Sequence, residues 1–420
     1  MVLIATLFAF HQLFTPANSA PTSTWHPPHG NKTALQHEIA PSWVAEPKER
    51  GTMSLLYSCT FTMFLCVYTA VHLNVPPQGE KKRYFYLRKA KWVLVALLAP
   101  EVVLYTAWSQ WRDARWLRYG RSDLSLSAKK RLIQFGLMQC FYVAMGGVVV
   151  DFSAVEDQEC KEFLSEKGLG SMWTLTTNGF HESRITDLPC KSISDKSKAD
   201  VLAKGLTISR KIEGLPLTVL EIHTLVHVVC ALFMYVLWFE KPVDVRDPTV
   251  IKVEDAIKAW DSIKASLGPN FAPSLIPYAP NLDYNVYGKK KQQAILLVAL
   301  CAAYGGVHLA AWNFEFPTNA EKLIWRITCI ITMVGTAVSW YILYLYTIYV
   351  VHLRDQSRGL LEMLGESNHR RKIAMIVTAI VSLFFILARI VITIMSFISL
   401  RKVPAGVYAT VQWNDLIPHF

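Results

Sequence analysis

A proline and a glutamate lie in the middle of an apolar stretch that is long enough to cross a lipid bilayer. The stretch runs from 92 to 111, and Pro100 and Glu101 are near its centre. A charged side chain at bilayer depth costs about 2.5–3.5 kcal/mol to insert, so it usually faces a helix bundle or a cavity. The proline interrupts the helical hydrogen bonds and frees backbone carbonyls for such a cavity. We therefore predict that Glu101 belongs to a buried site with chemistry or transport as its purpose.

A second carboxylate and two histidines occur in the apolar segment 217–239. They are Glu221, His223 and His227. His223 and His227 are one helical turn apart and share a face, whereas Glu221 points in a different direction. Two histidines supply only two metal ligands, and the other histidines are scattered singly along the chain. Hydrogen bonding between helices is the more ordinary interpretation, so we expect neither a metal nor another cofactor.

A further polar and aromatic group lies at the end of the apolar segment 292–312. Gly305 and Gly306 would let another helix, or a ligand, approach the backbone closely. His308 is the residue type that exchanges a proton near neutral pH. Trp312, together with Trp325 further along the chain, could line an apolar pocket or form an interfacial belt.

Two arginines should find carboxylate partners. Arg389 is the only basic residue inside the long apolar segment 373–397, and the candidate partners are Glu101 and Glu221. Such a pair could also be purely structural. Arg326 follows shortly after Glu321, a spacing that predicts an interfacial ion pair.

The chemistry that suits these residues needs no metal. A carboxylic acid kept protonated by burial can protonate an epoxide or an olefin, and aromatic faces can stabilise the resulting carbocation. The chain has none of the paired-aspartate motifs that hold Mg²⁺ for diphosphate ionisation, and it has no Gly-x-Ser-x-Gly elbow. Diphosphate ionisation and nucleophilic hydrolysis are therefore disfavoured.

The composition indicates an integral membrane protein. Of 420 residues, 52% are hydrophobic and 18% are charged, and the apolar residues come in blocks. The net charge is +11, but lysines and arginines cluster directly beside the apolar blocks. That placement suits lipid head groups better than nucleic acid. We expect the lipid bilayer as a partner and no nucleic acid.

Seven segments have the length and composition of membrane spans, so the predicted fold is all-α, a polytopic helical bundle with about six to eight transmembrane helices. The bundle extends from 53 to 400, between an N-terminal tail at 21–52 and a C-terminal tail at 401–420. The expected spans are 53–73, 92–111, 132–150, 217–239, 292–312, 323–350 and 373–397.

The first 20 residues are typical of a cleaved signal peptide, because a short apolar segment is followed by small residues. Removal of residues 1–20 would leave the N-terminal tail in the lumen. Asn31 begins an Asn-Lys-Thr sequence and would then be a glycosylation acceptor.

The orientation of the bundle depends on the segment 92–111. Strict alternation of seven spans divides the basic residues about equally between the two sides. If 92–111 instead dips into the membrane and returns, the basic loops become cytosolic and the loop 151–216 becomes lumenal. We prefer this arrangement, which allows a disulfide between Cys160 and Cys190; the alternative is two free thiols in a cytosolic loop.

Short motifs spread over about residues 50 to 400 carry a resemblance to a known family. They include Ala99-Pro-Glu101, Leu220-Glu221, Lys241-Pro242, Tyr304-Gly-Gly-Val-His-Leu-Ala-Ala-Trp-Asn313 and Trp325-Arg326. With these motifs the chain resembles fungal membrane-bound terpene cyclases of the ascofuranone-pathway type. The resemblance implies a meroterpenoid cyclase of secondary metabolism at the endoplasmic reticulum or another internal membrane. Its implied substrate is a prenylated small molecule with a hydroxylated epoxy-farnesyl chain.

The predicted function is thus a metal-independent terpenoid cyclase in which Glu101 donates a proton and Glu221 or His308 is the partner base. The leading alternative is a transporter or a lipid-binding membrane protein, for which the broken helix and the buried charges would form a path. A third interpretation has the charges only holding helices together. The residues expected to contact substrate are Trp108, Tyr304, Trp312, Asn313 and Arg389.

Overall fold

The chain is mostly helical in the computed structural model on which the following description rests. The structure describes residues 27, 32–44, 51–76, 80–119, 136–153, 155–167, 171–183, 216–243, 245, 247–251, 253–267, 275–277, 290–356 and 363–409. The predicted signal peptide, Asn31, Cys190 and most of the C-terminal tail lie outside these residues, so the predictions about them stay predictions.

Twelve α-helices are present in the described part of the chain, and short 3₁₀ turns follow the helix that ends at His308 and the helix that ends at Ile398. The helices are α1 (Lys32–His37), α2 (Thr52–Ala70), α3 (Lys82–Leu98), α4 (Pro100–Tyr119), α5 (Leu137–Ala144), α6 (Gln158–Lys167), α7 (Thr177–Glu182), α8 (Val219–Leu237), α9 (Val253–Leu267), α10 (Lys290–His308), α11 (Asn319–Gln356) and α12 (Met363–Ile398).

Four short strands form one sheet that the all-α prediction did not include. The strands are β1 (Val148–Asp151), β2 (Met172–Leu175), β3 (Thr249–Ile251) and β4 (Leu275–Pro277). The sheet has the order β3-β1-β2-β4, with β1 antiparallel to β2 and parallel to β3. The β-branched valines of β1 are fully buried, which suits a central strand. The chain is therefore mostly helical with one small sheet.

Three helical segments are long and apolar enough to cross a membrane. They are α2, α8 and the segment Ala379–Arg401, which includes the C-terminal half of α12. Within the described ranges this number is lower than the six to eight spans expected from the sequence. The helices α3 and α4 pass the same test as a pair, bent by 114° at their junction, and would make a fourth span.

The helices α2 and α8 run side by side in the same direction. Leu55 in the first turn of α2 shares a buried cluster with Leu220 in the first turn of α8. At the other end, the hydroxyl of Tyr235 donates a hydrogen bond to the hydroxyl of Thr69. Their C-terminal ends therefore lie on the same face of the bundle.

The segment 132–150 differs from the predicted span. Its described part holds the short helix α5 and the strand β1, joined by Gly146 and Gly147. Eight helical residues rise only about 12 Å, too little to cross a bilayer. Gly146 has a φ of 80°, in the left-handed region that glycine adopts without strain, and it turns the chain from helix to strand. The described part of this apolar run, from 136 onward, is mostly buried in protein.

The two glycines of α10 should respond differently to alanine. A Cβ at Gly305 would lie 2.7 Å from the backbone nitrogen of Met333 in α11, whereas a Cβ at Gly306 meets nothing within 4 Å. We expect Gly305→Ala to lower the free energy of unfolding by about 1–3 kcal/mol, because two backbones would have to separate. Gly306→Ala is the matched control, and we expect it to be neutral or stabilising by up to about 1 kcal/mol. Denaturant titration in detergent measures both, and equal effects would contradict the packing described here.

Candidate functional site

The site forms where α3 ends and α4 begins. Pro100 is the first residue of α4, a position that proline favours because its missing N–H would have no helical partner there. Glu101 follows in the first turn, where the helix dipole favours a negative charge, and only 1% of it is exposed. The predicted burial of Glu101 is confirmed. The apolar stretch 92–111 is divided between two helices at this break.

Arg389 of α12 forms a buried ion pair with Glu101. Its Nη2 donates to Glu101 Oε1, and both side chains are 2% exposed. The thiol of Cys301 in α10 lies 3.7 Å from the same carboxylate oxygen. Of the two carboxylates expected as partners for Arg389, the structure pairs it with Glu101. Since Arg389 keeps its charge under all ordinary conditions, this contact stabilises the ionised carboxylate.

The guanidinium of Arg389 also rests on an aromatic side chain of α10. Its Cζ lies 3.6 Å from the ring centroid of Tyr304 and 4.9 Å from that of Phe385. Cations above aromatic rings are attracted by the negative ring face, more strongly where water is excluded. Tyr304, predicted to contact substrate, is therefore part of the cluster around Glu101.

A pair of histidines adjoins Tyr304. His308 Nδ1 lies 2.7 Å from the carbonyl oxygen of Tyr304, and His308 Nε2 lies 3.0 Å from His223 Nδ1. A carbonyl oxygen only accepts, so the proton of a neutral His308 sits on Nδ1 and its Nε2 accepts from His223. His223 must then carry its own proton on Nδ1. This leaves His223 Nε2 as an acceptor with its lone pair available.

His227 connects the histidines to the break between α3 and α4. One ring nitrogen lies 2.9 Å from the carbonyl oxygen of His223, and the other lies 2.9 Å from that of Leu97. Leu97 is in the last turn of α3, where carbonyl groups have no partner within the helix. A neutral imidazole carries a single N–H, so His227 donates to only one of these two carbonyl oxygens. The two histidines predicted to share a face both lie in this cluster, and His227 contacts the end of α3 at the bend.

Several polar atoms of this cluster are buried and have no hydrogen-bond partner among the residues that the structure describes. They are Glu101 Oε2, Arg389 Nε and Nη1, His223 Nε2 and the hydroxyl of Tyr304. Buried polar groups are nearly always satisfied by protein or by water. Here donors and acceptors occur together, so a polar group of a ligand could bind both kinds.

Glu221 has a structural role in the contacts described for it. Its Oε2 accepts hydrogen bonds from the backbone nitrogen and the hydroxyl of Thr218, at 2.8 Å and 3.0 Å, and its own N–H donates to the Thr218 hydroxyl. This reciprocal arrangement is a capping box at the start of α8. The prediction of Glu221 as a partner base gains no support from these contacts.

Three other residues that were predicted to contact substrate are exposed to solvent or packed against an arginine. Trp312 is 37% exposed, and its carbonyl oxygen accepts two hydrogen bonds of 3.1 Å from Arg326. Asn313 is exposed, and Trp108 is half-buried, with the guanidinium of Arg112 5.1 Å from its ring. The tryptophan that packs near His308 is instead Trp325, which is fully buried with its ring centroid 5.9 Å from that of His308.

The predicted ion pair between Glu321 and Arg326 is wrong. Arg326 binds the carbonyl of Trp312, whereas Glu321 pairs with Arg401 beyond the end of α12. Glu321 Oε2 also accepts a 3.1 Å hydrogen bond from the backbone nitrogen of Thr318 and caps α11. A capping glutamate faces the preceding turn, which explains why it meets α12 and not the next turn of its own helix.

Of the two cysteines in the predicted disulfide, the structure describes only Cys160. Cys160 is fully buried in α6, and burial, followed by the nearby charge of Asp157, raises the pKa of its thiol to about 11. Cys190 lies outside the described residues. No group of three or more potential metal ligands occurs in the described part of the chain.

A comparison with models of protein families assigns the chain to a family. A family described as "Family of unknown function (DUF8562)" matches residues 29–265 and 276–420. The chain belongs to this family. The searches of curated proteins and of solved structures found no match to this chain. Membership of this family assigns no activity, so a function has to be argued from the cluster around Glu101.

Proposed function

We propose that this member of the family is a multi-pass membrane enzyme that cyclises a prenylated, epoxidised small molecule at the site of Glu101 and Arg389. The observation that carries the proposal is the group of unpaired donors and acceptors at one buried place. A purely structural ion pair needs no such atoms. The resemblance to fungal membrane-bound terpene cyclases supplies the substrate class, and with it the proposed internal membrane.

The outer surface of the helices supports the placement in a membrane. Large apolar side chains face outward on α2, α8 and α12, among them Phe61, Phe233 and Phe384, which are 66%, 53% and 61% exposed. Extended apolar surface of this kind is rare on soluble monomers and is expected where lipid chains are the solvent. Three or four membrane spans, with the shorter helices packed among them, are sufficient to form this apolar surface, so seven spans are not needed for it.

The donors of Arg389 suit the oxygen of an epoxide. In the proposed reaction, Nε–H and Nη1–H bind the epoxide oxygen and stabilise the negative charge that develops as its bond to carbon breaks. A hydroxyl group of the same substrate forms the new bond to that carbon and gives its proton to Glu101 Oε2. The proton then passes to the alkoxide, so the product is an isomer of the substrate and no external reactant is consumed.

This assignment changes the role predicted for Glu101. A proton donor would have to be a neutral acid, whereas the contact with Arg389 favours a carboxylate, and a carboxylate accepts protons. We therefore propose Glu101 as the base. His223 Nε2 is a second acceptor within the cluster, and His308 orients it, because both nitrogens of His308 are already engaged.

Aromatic rings close the apolar side of the proposed site. Tyr304, Trp325 and Phe316 are 3%, 0% and 3% exposed and follow one another beside His308. Their faces can stabilise positive charge on the prenyl chain as the epoxide opens. The rings also exclude water, which would otherwise open the epoxide to a diol.

Transport is the second candidate function, and one observation favours it. The 114° bend between α3 and α4 lies directly beside the buried ion pair, and broken helices next to charged side chains form substrate sites in many transporters. In that case the Glu101–Arg389 pair would open and close during transport and would not change the substrate covalently.

An assay with and without a membrane gradient distinguishes the two functions. The purified protein in detergent is given a hydroxylated, epoxidised farnesyl phenol, and the products are separated by chromatography and mass spectrometry. We expect a cyclic isomer of unchanged mass to form without any gradient. Sealed vesicles that accumulate the intact epoxide in response to a pH gradient, with no isomer formed in detergent, would contradict the enzyme and support the transporter.

A further inference from the structure

Opening of the epoxide leaves an alkoxide oxygen that has to gain a proton before the product can leave. In the proposed function Glu101 takes a proton from the attacking hydroxyl group, so Glu101 is the base and cannot be the acid of the same step. A guanidinium keeps its protons in proteins, so Arg389 binds the oxygen without protonating it. A separate acid beside Arg389 is therefore needed.

The protons of the neighbouring histidines are already directed at acceptors. A neutral imidazole carries one N–H. That of His308 points to the carbonyl oxygen of Tyr304 at 2.7 Å, and that of His223 points to His308 Nε2 at 3.0 Å. Both ring nitrogens of His227 lie 2.9 Å from carbonyl oxygens, so its single N–H is used by one of them. These three rings in their neutral forms do not supply the proton.

Tyr304 has a hydroxyl proton with no acceptor among the residues that the structure describes. The side chain is 3% exposed, and its oxygen is buried without a described hydrogen-bond partner. Buried tyrosines usually have a partner for this group. The indole N–H of Trp325 is also buried without a described partner, but an indole donates hydrogen bonds and does not release its proton. Tyr304 is therefore a suitable acid within the cluster.

The ring of Tyr304 lies against the donors that are proposed to bind the epoxide oxygen. Arg389 Cζ is 3.6 Å from its ring centroid, and Arg389 Nε and Nη1 are the nitrogens without a described partner. The hydroxyl group of a ring stacked on a guanidinium lies close to its edge, within reach of an oxygen bound there. The positive charge of Arg389 also stabilises the phenolate that remains when the proton leaves.

The packing around α10 holds Tyr304 in position. The carbonyl oxygen of Tyr304 accepts the hydrogen bond from His308. At the adjacent Gly305, a Cβ would lie 2.7 Å from the backbone nitrogen of Met333, so α10 and α11 are in direct backbone contact here. A group that is already oriented before the reaction contributes most to catalysis, because it does not have to reorganise.

We propose that Tyr304 is a further catalytic residue, the acid that protonates the epoxide oxygen as its bond to carbon breaks. This role rests on the cyclisation proposed above. The substrate hydroxyl group forms the new carbon–oxygen bond and gives its proton to Glu101 Oε2, while Tyr304 gives its proton to the released oxygen. Transfer of a proton from Glu101 to the phenolate then restores both side chains. The product is an isomer, and no oxidant, reductant or second reactant is consumed.

The first test removes one hydroxyl group. Tyr304→Phe keeps the ring on Arg389, and we expect it to lower the turnover number about 10²-fold, with KM changed less than about threefold. Tyr235→Phe is the matched control, because Tyr235 is also buried but donates its hydrogen bond to Thr69, in the last turn of α2. Its turnover number should stay within about threefold of the wild-type value.

The stability of the two variants should change in the opposite order. Tyr304→Phe loses no described hydrogen bond, so its midpoint of thermal unfolding in detergent should be unchanged or higher. Tyr235→Phe loses its bond to Thr69 and should unfold at a lower temperature. A turnover number of Tyr304→Phe within about threefold of the wild type would overturn the role of Tyr304.

The second test changes the acidity of the hydroxyl group and keeps its shape. Tyr304 is replaced by 3-fluorotyrosine and by 3,5-difluorotyrosine, and the rate of isomer formation in a single turnover is measured at neutral pH. The rate of an acid-catalysed step follows the strength of the acid, so we expect it to rise with each fluorine at 304 and to stay constant with the same replacements at 235. A rate that does not depend on the fluorines at 304 would contradict proton donation.

Failure of this role and failure of the proposed function give different results. If the wild type forms the cyclic isomer and Tyr304→Phe forms it equally fast, only the role of Tyr304 is overturned. If the wild type forms no isomer, the cyclisation is wrong, and the proton donor falls with it because no alkoxide is made.

Discussion

Replacement of Glu101 by glutamine is expected to lower the turnover number of the cyclisation by about 10²–10⁴-fold. Glutamine has nearly the same size, and its amide oxygen can still accept a hydrogen bond from Arg389. It cannot take a proton from the attacking hydroxyl group, because an amide is not a base near neutral pH. Steady-state kinetics with the epoxide in detergent measures the effect.

Glu221→Gln is the matched control for this experiment. Glu221 is also a buried glutamate, 5% exposed, but its described hydrogen bonds cap α8 through Thr218. Its substitution should cost about 0.5–2 kcal/mol of stability and leave the turnover number within about threefold. A loss of activity in Glu221→Gln equal to that in Glu101→Gln would restore Glu221 as the partner base and contradict our assignment.

Replacement of Arg389 by methionine is expected to lower the free energy of unfolding by about 3–5 kcal/mol. The methionine fills similar space, but the carboxylate of Glu101 would then be buried without its counter-ion. Removal of one partner from a buried pair leaves this charge uncompensated, which costs more than the pair itself contributes. Thermal or denaturant unfolding in detergent gives the value, and Arg326→Met, which removes a half-buried arginine from the ring of Trp312, is the control.

A double substitution shows whether the loss comes from the charge. Glu101→Gln combined with Arg389→Met removes both ions together, and we expect it to be more stable than Arg389→Met alone by about 2 kcal/mol or more. If the double variant were as unstable as the sum of the single variants, the contact between Glu101 and Arg389 would contribute nothing specific. Because this cycle measures stability only, it remains informative whatever the substrate is.

The buried ion pair could be predicted from the sequence, because an unpaired charge inside an apolar segment is energetically costly. Glu101 and Arg389 are charged residues inside apolar stretches, and such residues need partners. The choice of Glu101 over Glu221 was not predictable, since both have the same type and setting. Only the helix start at Val219 shows that Glu221 forms a capping box with Thr218.

The extent of the membrane region could be predicted less well. The run 132–150 is as apolar as a span, and composition does not distinguish a segment buried in lipid from one buried in protein. The adjacent glycines, Gly146 and Gly147, were the available signal of a turn. Pro100 gave a clearer signal, because the break it predicts within 92–111 is the bend that the structure shows.

The role of His223 could not be read from the sequence. Its spacing to His227 placed the two rings on one face of α8, but its tautomer depends on His308, and that of His308 depends on the carbonyl of Tyr304. These contacts join two helices that are far apart in the chain. A hydrogen-bond chain of this kind emerges only when the packing of α8 against α10 is known.

The charge of Glu101 is the central claim of this account, and infrared difference spectroscopy measures it directly. Spectra of the wild-type protein and of Glu101→Gln in detergent are subtracted, so that only the bands of this one side chain and its substitute remain. We expect the two stretching bands of a carboxylate in the wild type, at neutral pH and without substrate. The carbonyl band of a protonated carboxylic acid, present in the wild type and missing from Glu101→Gln, would contradict the assignment of Glu101 as the base.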